Sequence, residues 1–208
     1  GKLNDGFPSR TIATGDTYAA MNLDDKIRVN YGLSKACISK FNLHEDCRTS
    51  NQPEILVWGD SYAMHLVQGI LASNSDAKVI QMTRSVCGPI IGLAPTNNKY
   101  PEKWSKECLE FNNAAAQWIK QNTSLRYAVL GSPFQQYLAK PWSLRTNDRV
   151  LKPDASVAYE YFSATLDFLE SQGIKPVVFA PPPSIGHVKN IGSCLVKASV
   201  FGDDMELC

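Results

Sequence analysis

Four short apolar runs, Ile55–Trp58, Lys78–Met82, Tyr127–Leu130 and Pro176–Ala180, alternate with stretches of helical periodicity. That alternation constrains the chain more than any other feature. A continuous apolar run of this length suits a strand covered on both faces, as in a parallel sheet. Parallel neighbours in turn need a crossover between them, usually a helix. The intervening stretches supply it. One helix is expected from about Ser61 to Ala72, with Leu66, Val67, Ile70 and Leu71 on one face. A second is expected around Trp104 to Gln121. A third runs from about Asp154 to Ser171, with Ala158, Tyr161, Phe162, Thr165, Phe168 and Leu169 at three-four spacing and Gly173 just beyond. The predicted fold is α/β, a three-layer α/β/α sandwich with right-handed crossovers. Residues 1–53 show no such period and are rich in Asn, Asp, Lys and Thr. They are expected to form an irregular extension packed on a main domain, residues 54–208.

In such sheets ligands bind at the carboxyl ends of the strands. The stretch "LVWGDSYA" places Gly59-Asp60-Ser61 there, at the corner between the first strand and its helix. The loops at 83–101, 131–142 and 181–193 fall on the same edge. As plain structure, Gly59 permits a tight turn, and Asp60 or Ser61 caps the helix. As chemistry, the corner puts the Ser61 hydroxyl in the crevice and its N–H at a helix N-terminus, where a developing oxyanion finds donors. The tripeptide alone fits both readings.

The formal charge of +1, with both signs interspersed, argues against nucleic acid as the main partner, because phosphate binding usually needs a basic face. No apolar run approaches the ~18 residues of a membrane span. The six cysteines, at 37, 47, 87, 108, 194 and 208, include no C-x-x-C pair, so no metal site is expected. Six cysteines allow about 15 pairings. They fall as three local pairs, Cys37 with Cys47, Cys87 with Cys108 and Cys194 with Cys208, and several sit in polar segments. An oxidising compartment accounts for this better than six reduced thiols.

The block "LVWGDSYA" resembles the first block of the SGNH, or GDSL-like, hydrolases, and most closely the SGNH domains fused to membrane-bound acyltransferase-3 proteins that O-acetylate bacterial surface polysaccharides such as lipopolysaccharide O-antigen. "DGFPSR" (residues 5–10) resembles the opening of the extension in those fusions. "VCGPIIG" with Cys108, and "PPP" followed by "SCLV" and Cys208, resemble their cysteine framework. The resemblance implies a flavodoxin-like sheet and a nucleophilic Ser61. It makes Asp60 a turn-shaping residue, and makes Gly88 in "CGP" the second-block glycine whose N–H joins that of Ser61 in an oxyanion hole. The alternative for Gly88 is a turn glycine beside Pro89.

Two departures stand out. The third family block, Gly-x-Asn-Asp, reads Gly131-Ser132-Pro133-Phe134 here, so the asparagine donor is absent. Gln135 or Gln136 could replace it, although both are expected to be exposed polar residues. The base and its acid come in the family from an Asp-x-x-His block. His44, His65 and His187 all lack an aspartate three residues earlier. His65 lies one turn from Ser61, and is otherwise expected to be a partly buried helix residue. The Asp-x-x-His block is expected to follow Cys208, leaving these 208 residues alone poorly active. Tyr62 stands where fused relatives often carry histidine.

By resemblance, the chain is expected to be the periplasmic domain of an inner-membrane O-acetyltransferase. It would pass an acetyl group to a bacterial surface polysaccharide through an acyl-serine. The partner is an integral-membrane acyltransferase-3 domain upstream in the same polypeptide. This domain itself binds no cofactor, and acetyl-CoA is the ultimate donor. The rivals are a secreted carbohydrate O-acetyl esterase and a catalytically dead sugar-binding module. Tyr100, Trp104 and Trp142 could stack on sugar rings at the crevice, or simply pack the core.

Overall fold

A computed structural model describes residues 29–38, 40, 41 and 43–181. The proposed Cys194–Cys208 pair, His187 and the 182–193 part of the last loop lie outside the described residues.

Among the described residues, seven strands and four α-helices follow in the order β1 (Ile55–Gly59), α1 (Ser61–Ser73), β2 (Val79–Thr83), β3 (Ala94–Thr96), α2 (Glu102–Lys120), β4 (Tyr127–Gly131), α3 (Gln135–Leu138), β5 (Ser143–Arg145), β6 (Val150–Leu151), α4 (Ala155–Ser171) and β7 (Lys175–Phe179). The main sheet is parallel throughout, in the order β2-β1-β4-β7. Each strand is one of the four apolar runs. Alternate residues of β1 enter different cores. Leu56 and Trp58 join Ile80, Met82, Ala128 and Leu130 beneath α2 and the end of α4. Val57 joins Val79 and Val129 beneath Ala63 and Val67 of α1. Strands β1, β2 and β4 are thus covered on both faces, while β7 at the edge leaves Val177, Val178 and Phe179 exposed among the described residues; the sheet is the middle layer of an α/β/α sandwich.

Boundaries differ from the sequence expectation by a residue or two. Pairing runs on through Gly59, which is in register with both Thr83 and Gly131, where side-chain pattern carries no signal. Helix α4 begins after Asp154, whose carboxylate accepts from the Ser156 N–H at 2.7 Å and so caps the helix rather than joining it. The loop expected at 83–101 contains β3. It pairs with β5, and β5 with β6, as a small antiparallel sheet.

Residues 30–53 belong to the same compact unit as the sheet, Asn30–Pro181. They line the outer edge of β2. Gln81 is buried and bonds back to this segment, its Oε1 accepting from the Leu33 N–H (2.7 Å) and its Nε2 donating to the Tyr31 carbonyl (2.9 Å). The Thr49 N–H donates to the Val79 carbonyl.

Among the described residues two disulfides are formed, Cys37–Cys47 within this segment and Cys87–Cys108, with Cα separations of 5.5 and 5.7 Å. The second joins the loop after β2 to α2 across 21 residues. Loop closure of that length restricts the unfolded chain by about 3 kcal/mol. Replacing both Cys87 and Cys108 with alanine is therefore expected to lower unfolding free energy by about that amount in urea titrations. A loss below ~1 kcal/mol would mean the loop is held without the bond.

Candidate active site

Strand β1 ends in a backbone arrangement only glycine tolerates. Gly59 has φ of 151°, and a Cβ there would run into the carbonyl oxygen of Gly131 on β4. The same carbonyl accepts the Asp60 N–H at 3.2 Å. This close approach turns the chain sharply into α1, so that Ser61 is the first residue of the helix.

Asp60, not Ser61, is the helix cap. Its Oδ1 accepts from the Tyr62 N–H at 2.9 Å. Ser61 is thereby released from a structural duty. It is partly exposed, and neither its hydroxyl nor its N–H has a hydrogen-bond partner among the described residues. A free hydroxyl beside a free amide at a helix N-terminus suits a nucleophile whose adduct carries negative charge.

Beneath the corner lies a closed polar network. The Asp60 carboxylate is buried, and its Oδ2 accepts from Ser132 Oγ at 2.9 Å and Gln136 Nε2 at 3.5 Å. Gln136 Nε2 is also 3.0 Å from Ser132 Oγ and 3.4 Å from the Val86 carbonyl. One glutamine therefore spans the loops after β2 and β4, on either side of β1. The expectation that both glutamines are exposed fails for Gln136, which is buried because α3 turns it inward. Gln135, the weaker candidate donor, is exposed.

Burial raises the Asp60 carboxyl above the ordinary value of 3.8, and outweighs the hydrogen bonds from Tyr62, Ser132 and Gln136. A carboxyl with a raised folded-state pKa binds its proton more tightly folded than unfolded. Its contribution to stability is then fully present below the unfolded value and is lost as pH rises through the folded one. We therefore expect wild type to gain stability over Asp60→Asn as pH falls from neutrality toward 3.8. Urea titrations of both proteins across that range measure it, and a difference that stays flat with pH would refute it.

Gly88 is placed differently from the expectation. Its N–H donates to the Tyr137 hydroxyl at 3.0 Å, inside the protein. Tyr137 is fully buried, and its phenol is held neutral by burial and by nearby Asp60. A Cβ on Gly88 would press on the Tyr137 ring and Ser132 Oγ. Glycine is thus explained here by packing, and its amide is already engaged. Its carbonyl, with that of Ile90, accepts from the buried Asn112 amide (2.9 and 3.0 Å), which also bonds Trp58.

Other amides are unengaged. The Arg84 N–H donates to the Gly59 carbonyl, and the Cys87 N–H closes a turn onto the Arg84 carbonyl. That turn carries Ser85 and Val86 past the end of β2, next to the corner. Their N–H groups have no partner among the described residues. Val86 holds φ of 66°, a left-handed conformation rare for a β-branched residue. Such outliers persist where surrounding structure enforces them. Here the flanking Cys87–Cys108 bond and the Gln136 contact do so. Sequence reasoning missed this turn because valine is the last residue expected in it.

His65 is exposed rather than partly buried, and has no carboxylate partner among the described residues. His44 caps the short 3-10 turn Glu45–Cys47, its Nδ1 accepting from the Asp46 N–H at 3.2 Å. Neither is set to serve Ser61. Among the described residues no group of three or more His, Cys, Asp or Glu could hold a metal ion, and no helix is long and apolar enough to cross a membrane.

No curated protein matches the chain. The family described as "SGNH domain (fused to AT3 domains)" matches residues 34–208, which spans the whole corner, both described disulfides and the sheet. The serine corner on a parallel α/β sheet and a match of this extent make the chain a member of that family, the SGNH domains fused to AT3 domains.

Proposed function

We propose that this domain carries an acetyl group on Ser61 and passes it to a hydroxyl of a bacterial surface polysaccharide such as O-antigen. The observation that supports this reading most is Ser61 itself. Its hydroxyl and amide are both unengaged among the described residues, at a corner that Asp60 caps and Gln136 braces. The family context adds a membrane acyltransferase as source of the group. In this reading the domain faces the periplasm, the membrane part delivers acetyl groups drawn from acetyl-CoA, and this domain binds no cofactor.

The Ser61 Oγ attacks the acyl carbon of the donor and gives up its proton to a base; the bond from that carbon to the donor's leaving group breaks, the leaving group departs with a proton, and Ser61 is left as an ester. A sugar hydroxyl then attacks the same carbon, the bond to Oγ breaks, and Ser61 regains a proton. Each tetrahedral intermediate places an oxyanion near the Ser61 N–H. With the Gly88 amide committed to Tyr137, the second donor in this reading comes from the Ser85–Val86 turn.

The test is to isolate the full-length protein from cells making the polysaccharide, quench in acid, and digest it. The peptide holding Ser61 should carry one acetyl group, and added polysaccharide should discharge it onto sugar. An acetyl group released only to water would favour the esterase, and a peptide never acetylated would favour a sugar-binding module without chemistry.

A further inference from the structure

Trp104, Tyr100 and Trp142 form one aromatic cluster, but they do not do the same job. Trp104 packs against the core beneath the sheet, with the Arg84 guanidinium 5.7 Å from its ring centre. Tyr100 and Trp142 belong to none of the hydrophobic cores among the described residues. Both are partly exposed. They stack on each other, with ring centres 5.6 Å apart and planes 21° from parallel, while Trp104 meets Tyr100 edge-on at 5.0 Å. Two large rings kept out of the core forgo the stabilisation that burial would bring.

Their mounting is firm. Trp142 immediately precedes β5, and Thr96 of β3 pairs with Ser143. Tyr100 closes the loop after β3, its carbonyl accepting from the Asn97 N–H (2.9 Å) and Thr96 Oγ1 (3.0 Å). The small antiparallel sheet thus presents both rings together. A cation reaches the pair, and an ion pair lies close by in the chain. Lys99 Nζ is 5.6 Å from the Tyr100 ring centre, and Glu102 pairs with Arg145 at 3.0 Å. The pair is linked to the serine corner through Trp104 and Arg84, whose N–H bonds Gly59.

From these observations we infer that the Tyr100–Trp142 pair is a carbohydrate-binding platform, on which a sugar ring of the acceptor chain stacks against the indole. A flat ring surface with a lysine beside it matches a pyranose, which has an apolar C–H face and a rim of hydroxyls. Trp142 gives one face to Tyr100, and no other ring or cation meets it among the described residues. The inference rests on the polysaccharide reading for the identity of its ligand.

Affinity electrophoresis of the 208-residue chain, in gels holding each of a panel of unacetylated bacterial O-polysaccharides, tests it. Polyglutamate serves as a charged polymer without sugar. We expect at least one polysaccharide to retard the wild type. Trp142→Ala should weaken that retardation about tenfold, the scale of one stacking contact, and Trp142→Phe should keep most of it. Matched thermal midpoints would confirm that each variant is folded. Equal retardation of Trp142→Ala and wild type, retardation by polyglutamate as strong as by sugar, or none by any polysaccharide would each overturn the platform. Acetylation of the Ser61 peptide is read separately. Acetyl-Ser61 without a Trp142 effect removes the platform and leaves the transferase. A Trp142-dependent retardation without acetyl-Ser61 leaves the platform and removes the transferase.

Discussion

Ser61→Ala is expected to lower polysaccharide acetylation by the full-length protein by about 10⁴-fold or more, the scale on which removing a serine nucleophile acts. Stability should stay within ~0.5 kcal/mol of wild type, because the helix cap is the Asp60 carboxylate and Ser61 makes no hydrogen bond among the described residues. That pairing of outcomes separates chemistry from structure. Had Ser61 been the cap, its loss would cost about 1 kcal/mol of stability. His65→Ala should leave acetylation unchanged, since that side chain points to solvent without an orienting partner among the described residues. Undiminished acetylation by Ser61→Ala, measured on polysaccharide from cells expressing only the variant, would make the corner purely structural.

Gly59→Ala should do the reverse and damage the fold first. The added Cβ meets the Gly131 carbonyl oxygen, which belongs to the neighbouring strand and already accepts the Asp60 N–H. Neither partner is the loose end of a side chain, so the strands must part or the turn must unwind. The φ of 151° adds strain for any residue with a Cβ. A loss of about 3 kcal/mol or more is expected in urea titrations. Whatever molecules remain folded should acetylate at least ~100-fold more slowly, because Ser61 would be displaced on the ångström scale. Stability within ~1 kcal/mol of wild type would show that the close approach of β1 and β4 relaxes without cost.

The parallel sheet was legible because β1, β2 and β4 are covered on both faces, and that requirement writes itself as Ile55–Trp58 and its counterparts. The small sheet was not. Strand β3 is three residues long and contains Pro95, and it exists only because Ser143–Arg145 pairs with it across some fifty positions of chain. The serine corner was legible because Gly59 and Asp60 act locally. What surrounds it was not. Gln136 and Tyr137 are buried while Gln135 and Leu138 beside them are exposed, and four residues are too few to display a period. Gly88 carried a misleading signal. A glycine before proline near a strand end fits an oxyanion loop and a packing site equally, and only the position of the Tyr137 hydroxyl decides which amide is engaged.

The bond between Cys87 and Cys108 sits one residue from the Val86 turn, so the geometry beside Ser61 is coupled to a covalent event that happens after translation. A newly made chain in a reducing environment has the serine but not the clasp that constrains the neighbouring amides. Thiol oxidation, and not synthesis alone, supplies that clasp. For the bench this means that dithiothreitol carried over from purification changes the reagent under assay, and that reduced and oxidised samples deserve to be treated as two different proteins.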